Sequence, residues 1–178
     1  MAQDIKRASA WLAAAKTGDE EAFGHLVRAY YPALFRLIYQ MVPCAQDVED
    51  ILQDALFRFY RAMKRVRDGE DPFPFLRTIA VRRTYSFLKH RRLGIVSLSD
   101  LPEDLPHLAV GGRTLEVAVL YRLAYRLPPQ QRLVFLMRDV LGVDDWEIAR
   151  LLGLKETTVR RHGSLARESM ERMIQEGR

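Results

Sequence analysis

The stretch from residue 127 to 167 constrains the fold most, because it contains the start and stop signals of three successive helices. Pro128 and Pro129 favour a helix start. Apolar residues then recur at three- and four-residue intervals, at Leu133, Leu136, Met137, Val140 and Leu141. This spacing predicts a first amphipathic helix.

Asp144 and Glu147 have the spacing of a capping box, which predicts the start of a second helix. Gly153 can take the positive φ angle that ends a helix, so we expect the chain to turn there. A third helix then carries an apolar set inward, namely Val159, Ala166, Met170 and Met173. Short helices joined by a glycine turn form the pattern of a helix-turn-helix.

The third helix leaves a polar set pointing outward, formed by Thr157, Arg160, Arg161, Ser164 and Glu168. Adjacent arginines and small hydroxyl groups suit the major groove of DNA, because arginine can pair with guanine and can also hold phosphates. The alternative is an ordinary three-helix corner whose charges are only solvated.

Charge is distributed unevenly along the chain. The 178 residues, of which 48% are hydrophobic and 29% charged, give room for one large or two small domains. The net charge of +5 divides into +5 for residues 1–96, −3 for residues 97–112 and +3 for residues 113–178. Two basic blocks that flank an acidic connector favour an acidic partner.

Several functional classes find no support in the sequence. Cys44 is the only cysteine and the four histidines lie in separate segments, so we expect no disulfide and no metal site. No catalytic or nucleotide-binding motif occurs, so we expect no enzyme, no cofactor and no small-molecule substrate. Apolar runs are too short for a membrane span or a signal peptide. We therefore expect a cytoplasmic protein that is not membrane-inserted.

The N-terminal half predicts helices over residues 4–16, 19–41, 45–63 and about 75–92. Pro32 lies within the second pattern and should kink it or split it in two.

The helix over residues 45–63 has an unusual outer face, formed by Asp50, Gln53, Asp54, Phe57, Arg61 and Lys64. An exposed phenylalanine among polar residues indicates a protein-docking surface. Packing of Phe57 against the N-terminal helix is the alternative.

No acidic residue occurs between Asp71 and Asp100. Within this stretch the fourth helix has one polar face, formed by Thr78, Arg82, Tyr85, Lys89 and Arg92. Cations interleaved with a tyrosine suit a nucleic-acid backbone with a base stacked beside it. A solvated basic face is the alternative. Arg83 falls near the core side and needs a partner or an exposed tip.

Residues 94–113 contain three glycines, two prolines and three acidic residues without a sustained period, which predicts a flexible linker. A helix resumes at Thr114. We therefore predict an all-α fold with two small helical domains, residues 1–93 and 114–178, of which the second contains the helix-turn-helix.

Four motifs, in this order, resemble the small two-domain extracytoplasmic-function (ECF) class of bacterial RNA polymerase sigma factors. They are EAFGHLVRAYYPALFRL, DVEDILQDALFRFYRAM, FPFLRTIAVRR and LPPQQRLVFLMRDVLGVDDWEIARLLGLKETTVRRH. The resemblance covers nearly the whole chain and implies a promoter-specificity subunit of the polymerase.

The resemblance also implies three functional surfaces. The docking surface, which would bind the clamp helices of the polymerase β′ subunit, comprises Asp50, Gln53, Asp54, Phe57 and Arg61. The minus-ten surface, which would recognise and open the minus-ten promoter element, comprises Arg65, Arg67, Thr78, Arg82, Tyr85, Lys89 and Arg92. The minus-thirty-five surface, which would read the minus-thirty-five element, comprises Glu156, Thr157, Arg160, Arg161 and Ser164. Contact with the β flap, passage of the acidic linker through the RNA-exit path and control by an anti-sigma factor are implied as well.

Three features depart from the family pattern. The family usually has tryptophan at Phe75, and the run Thr78–Arg82 lacks the family's asparagine. Gly163 stands on the buried side of the third helix, where the family usually has leucine. We expect it to cost about 1 kcal/mol in helix propensity, with lost packing in addition, and so to weaken or bend the reading helix.

Two other functions fit the same pattern. One is a helix-turn-helix regulator that dimerises on a palindrome without polymerase, and the other is a helical protein-binding adaptor whose basic faces are solvated. A sigma factor should bind duplex promoter DNA poorly without the core enzyme, which separates the three.

Overall fold

The computed structural model describes residues 2–42, 44–90, 120 and 122–176. Its α-helices are α1 (Ala2–Lys16), α2 (Glu20–Tyr39), α3 (Ala45–Ala62), α4 (Phe73–His90), α5 (Pro129–Phe135), α6 (Asp145–Leu152) and α7 (Glu156–Glu176). A 3₁₀ turn, Met63–Arg65, follows α3, and a π-helical turn, Leu136–Val140, follows α5. These ranges contain no β-strand, so the all-α prediction is confirmed for them.

Two compact units make up the chain. The first is Met1–Tyr39 with Cys44–Arg83, and the second is Gln40–Pro43 with Thr84–Arg178. The predicted linker, the helix start at Thr114 and Arg92 of the minus-ten surface lie outside the described residues. The division into domains at residues 93 and 114 therefore stays a prediction.

The core of the first unit is built by apolar faces of its helices. Phe59 of α3 is buried, and its ring centroid lies 6.3 Å from that of Phe23 on α2 and 6.2 Å from that of Phe75 on α4. Phe59 thus joins three helices through ring contacts, and Phe75, at the position where tryptophan was expected by resemblance, contributes the contact from α4. Such contacts stabilise a core beyond the area they bury.

Helix α2 begins and continues as its sequence requires, with one correction. Asp19 caps it, because its carboxylate accepts a hydrogen bond from the Ala22 N–H at 2.9 Å. The helix runs through Pro32 without a break, so the predicted split is wrong. Leu34 and Ile38, both fully buried beyond the proline, supply tertiary packing that outweighs the lost backbone hydrogen bond.

In the second unit, α5 starts as predicted, with Pro128 at the N-cap and Pro129 in the first turn. The regular helix predicted up to Leu141 is wrong after Phe135, where the π-helical turn begins. There the Leu141 N–H donates to the Leu136 carbonyl at 3.0 Å, which is the wider five-residue register.

The turn between α6 and α7 closes through Gly153, whose φ of +67° is left-handed as predicted. The Leu154 N–H donates to the Ala149 carbonyl across it at 2.9 Å. Asp144 does occupy the N-cap of α6, but its side chain makes no capping hydrogen bond, so the predicted capping box is not formed. The start of α6 depends instead on the backbone, where the Ile148 N–H donates to the Asp144 carbonyl at 2.9 Å.

In the part of the chain that the structure describes, no helix is both long and apolar enough to cross a membrane.

Candidate nucleic-acid interface

Helix α7 exposes the minus-thirty-five surface. Val159 and Ala166 are fully buried beneath it. The side chains of Glu156, Thr157, Arg160, Arg161 and Ser164 are all exposed. The predicted outward face of this helix is therefore confirmed; of the predicted inward set, Val159, Ala166 and Met170 are buried and Met173 is half-buried.

Arg160 is held by carboxylates, which sequence reasoning missed. Its Nη2 donates to Glu156 Oε2 at 2.8 Å on the same helix. Its Nε lies 3.6 Å from Asp145 Oδ2 on α6, and Asp145 Oδ1 lies 3.3 Å from Arg138 Nε on the π-helical turn. Arginine and carboxylate thus alternate from the half-buried Arg138 to the exposed face of α7.

Gly163 is buried in α7, as predicted. The expected loss of packing does not occur, because a neighbouring side chain fills the space. A Cβ atom placed on Gly163 would lie 2.5 Å from Arg138 Nη1, so the arginine side chain occupies the space that a larger residue would need. Helix α7 continues without a break through this position for 21 residues. In the sequence, only the glycine marked this position as unusual. Arg138 could not be identified as its partner, because Arg138 lies on another element.

A second ion pair joins the π-helical turn to α7. Arg167 Nε donates to Asp139 Oδ1 at 2.8 Å. Asp139 follows Arg138 directly, so adjacent residues of the turn pair with Arg167 of α7 and with Asp145 of α6.

Helix α4 carries most of the minus-ten surface. Arg82 and Lys89 are exposed, whereas Thr78 and Tyr85 are half-buried. The Thr78 hydroxyl donates to the Pro74 carbonyl of its own helix at 2.8 Å. Burial raises the pKa of the Tyr85 phenol, so this side chain stays neutral and keeps its hydroxyl proton.

The 3₁₀ turn and the loop before α4 carry Arg65 and Arg67, both exposed. Lys16 of α1 holds the first part of this loop, because its Nζ donates to the Val66 carbonyl at 2.6 Å and to Asp68 Oδ1 at 2.7 Å. The loop therefore reaches α4 from a fixed point on the first helix.

Tyr30 and Asp71 hold the last part of the loop. The Tyr30 hydroxyl donates to Asp71 Oδ1 at 2.8 Å, and the Phe73 N–H donates to the same oxygen at 2.9 Å. Burial, followed by this hydrogen bond to Asp71, raises the pKa of Tyr30 well above its ordinary value. These anchors were not predicted, since they join residues 41 and 52 positions apart.

The docking surface on α3 has Phe57 at its centre. Phe57 is 60% exposed, so its predicted exposure is confirmed and packing against the N-terminal helix is excluded. The Arg61 guanidinium lies 5.8 Å from the ring centroid, within the range of a cation–π contact. Asp50 and Gln53 are exposed beside it.

Asp54 differs from the other docking residues because it is tied to neighbouring arginines. Arg58 Nε donates to Asp54 Oδ1 at 2.9 Å, and Arg83 of α4 pairs with Asp54 Oδ2. Arg83 thus has the partner that its inward position required. Asp54 joins α3 to α4 and leaves only part of its carboxylate for a partner protein.

A helix-turn-helix whose third helix exposes adjacent arginines, within an all-α chain, defines a helix-turn-helix DNA-binding protein. Residues 26–93 match Sigma-70 region 2, and residues 118–170 match Sigma-70, region 4. The chain belongs to the ECF RNA polymerase sigma factors, which are DNA-binding factors of transcription initiation.

Individual relatives agree with this assignment. The ECF RNA polymerase sigma factor SigM of Mycobacterium tuberculosis is 30% identical over 92% of this chain and 82% of its own length. The ECF RNA polymerase sigma-E factor of Escherichia coli is 26% identical over 89% of both chains.

Solved structures are similar in fold. CnrH, solved in complex with the cytosolic domain of CnrY, has a TM-score of 0.58 at 20% identity over 96% of this chain and 97% of that one. The sigma factor RpoE of Bartonella quintana, solved with the anti-sigma factor NepR, has a TM-score of 0.61 at 20% identity over 88% and 98%.

Proposed function

We propose that this sigma factor binds core RNA polymerase, directs it to promoters through two DNA elements and opens the DNA at one of them. The observation that carries the proposal is the exposed arginine face of α7, set on a buried helix-turn-helix core. Arg160 and Arg161 would contact the minus-thirty-five element in the major groove, where an arginine can pair with a base edge. Glu156, Thr157 and Ser164 complete that surface.

The minus-ten surface would recognise and open the other element. Arg82 and Lys89 would hold the phosphates of the separated strand, and the neutral Tyr85 would stack on a base drawn out of the helix. Unstacking a base costs a few kcal/mol, and contacts to the open strand can offset this cost. Opening therefore proceeds through binding energy, so the chain acts as a binding factor and not as an enzyme.

Phe57 would be the anchor of the docking surface on the clamp helices of β′. A solvent-exposed aromatic ring flanked by charged side chains has the character of an interface hot spot. The second unit would contact the β flap, and the acidic linker over residues 94–113 would follow the basic RNA-exit path. Such a role places the protein in the cytoplasm with the polymerase.

An anti-sigma factor would control these surfaces. The two similar solved structures support this proposal, since CnrH was solved with a domain of CnrY and RpoE with the anti-sigma factor NepR. A protein that covers the docking surface would keep the chain from polymerase.

Transcription in vitro from a promoter library, with purified core enzyme, tests the proposal. We expect Arg160→Glu with Arg161→Glu to abolish transcription from cognate promoters, because both cations become anions beside phosphate. Arg172→Glu, at an exposed position near the end of α7, is the matched control.

Phe57→Ala should reduce co-purification with core polymerase without lowering the melting temperature. Ile5→Ala removes another exposed apolar side chain of the first unit and is its control.

Transcription that survives the double arginine reversal at every promoter would contradict the assignment of the reading helix.

A further inference from the structure

The side chain of Arg138 occupies the space beside Gly163 that a Cβ atom would need, and we call this space the Gly163 notch. The guanidinium Nη1 of Arg138 lies 2.5 Å from the place where a Cβ of residue 163 would stand, and its Cδ and Cζ lie 3.6 Å from that place. No side-chain carbon approaches a nitrogen so closely, so even alanine at this position would displace the arginine. Because an arginine side chain is flexible, displacement would move Arg138 rather than unfold α7.

Arg138 in this position is the inner end of a chain of charges. Asp145, only 19% exposed, lies between Arg138 at 3.3 Å and Arg160 at 3.6 Å. Arg160 is 63% exposed, and Glu156 holds its other side at 2.8 Å. The inner members, Arg138 and Asp145, are half-buried, with 26% and 19% of their side chains exposed, and Arg160 lies on the exposed face of α7.

These ion pairs act on the orientation of the Arg160 side chain and contribute little to the stability of the fold. Exposed ion pairs such as Arg160 with Glu156 contribute little to folding. A free arginine has many rotamers, however, and holding its planar fork before binding reduces the ordering that recognition requires. The two carboxylates also repel phosphate, which disfavours an Arg160 contact to the DNA backbone.

We propose that Arg138 and Asp145 are positioning residues for promoter reading. Arg138, seated against Gly163, fixes Asp145, and Asp145 with Glu156 directs Arg160 towards a base edge and away from the phosphates. The proposal rests on the proposed reading function of α7. It adds specificity determinants that lie outside the minus-thirty-five surface itself.

Holoenzyme binding to promoter fragments tests this role. The readout is the ratio of affinities for the cognate minus-thirty-five element and for elements with single base changes. We expect Asp145→Asn to lower this ratio roughly tenfold, which is the scale of one bidentate base contact. Arg160→Ala should lower it at least as much, and Asp145→Asn should add nothing when Arg160 is absent.

Two outcomes overturn the proposal in different ways. An equal effect of Asp145→Asn with and without Arg160 would show that Asp145 does not act through that arginine. If Arg160→Ala leaves the ratio unchanged for every base substitution, the reading function of α7 itself fails. A merely structural role of Asp145 would lower affinity for all fragments alike and leave the ratio constant.

Substitution of Gly163 tests whether the contact between Arg138 and the Gly163 notch affects discrimination. Gly163→Ala should lower the ratio in the native background, and it should have no effect on the ratio after Arg138→Ala, because the displaced group is then missing. Gly24→Ala, at a helical glycine of α2 with room for a Cβ at ordinary contact distance, is the control. A loss of discrimination that is the same with and without Arg138 would contradict the fit, and melting temperatures identify any variant that fails to fold.

Discussion

Arg132 has no exposed surface, and its guanidinium lies 5.3 Å from the centroid of the Tyr125 ring. Among the described residues its three side-chain nitrogens have no hydrogen-bond partner. Burial lowers the pKa of Arg132 to about 10. A buried cation without hydrogen-bond partners destabilises a fold, although its long carbon chain fills space.

Arg132→Met should therefore raise the free energy of unfolding by about 1 kcal/mol, because it keeps the volume and removes the charge. Arg132→Ala should lower the same quantity by about 2 kcal/mol through the cavity it leaves. Denaturant unfolding measures both, with Arg122→Met at an exposed site as control. A methionine variant less stable than the native chain would contradict this prediction and would show that the buried guanidinium stabilises the folded state.

His162 of helix α7 connects the stability of the fold to pH. Its Nδ1 is buried without a hydrogen-bond partner among the described residues. Burial, and then the neighbouring charge of Arg161, lower the pKa of His162 below the ordinary 6.5. The unfolded chain therefore binds a proton at a higher pH than the folded chain does.

Stability should accordingly fall as the pH drops through 6.5, and the loss should level off below the folded-state pKa. Melting temperatures at pH 7.5 and 5.5 should differ less for His162→Gln than for the native chain. If the melting temperatures of the native chain and of His162→Gln depend on pH to the same extent, His162 is not a source of the pH dependence of stability.

At the scale of elements, the helix-turn-helix was predictable because local signals agree: prolines start α5, and Gly153 ends α6. Helical spacing placed Phe57 on the face of α3 opposite the core, but it left open whether the ring is exposed or packs against the N-terminal helix, and the structure shows it exposed. The π-helical turn was not, since its residues have the same apolar spacing as an α-helix. The contact between Arg138 and Gly163 was also out of reach, because it is set by tertiary packing.

The loop before α4 offers a prediction at this scale. Tyr30→Phe removes the hydroxyl that donates to Asp71, which should lower the free energy of unfolding by about 1 kcal/mol. If the loop presents Arg67 to the open strand, the change should also slow promoter opening. Permanganate reactivity of minus-ten thymines in the holoenzyme complex measures that rate.

Tyr31→Phe is the matched control, because Tyr31 is exposed on the same helix. If the Tyr30→Phe variant loses stability but opens the promoter at the native rate, the hydrogen bond between Tyr30 and Asp71 has only a structural role.

At the scale of the whole molecule, basic blocks flank an acidic connector, and each block carries its own helical surface. Linked binding raises the apparent affinity of each part without a new contact. The arrangement therefore fits a factor that becomes selective only when a larger enzyme holds both surfaces on one DNA molecule.

Titration of a labelled cognate promoter duplex with the full chain, in the presence and absence of core RNA polymerase, tests this claim most directly. The account predicts weak, poorly selective binding by the chain alone and binding roughly a hundredfold tighter, with an open minus-ten element, when core enzyme is present. Tight binding of a palindrome by a dimer of the chain without polymerase would contradict it, as would an absence of DNA binding under both conditions.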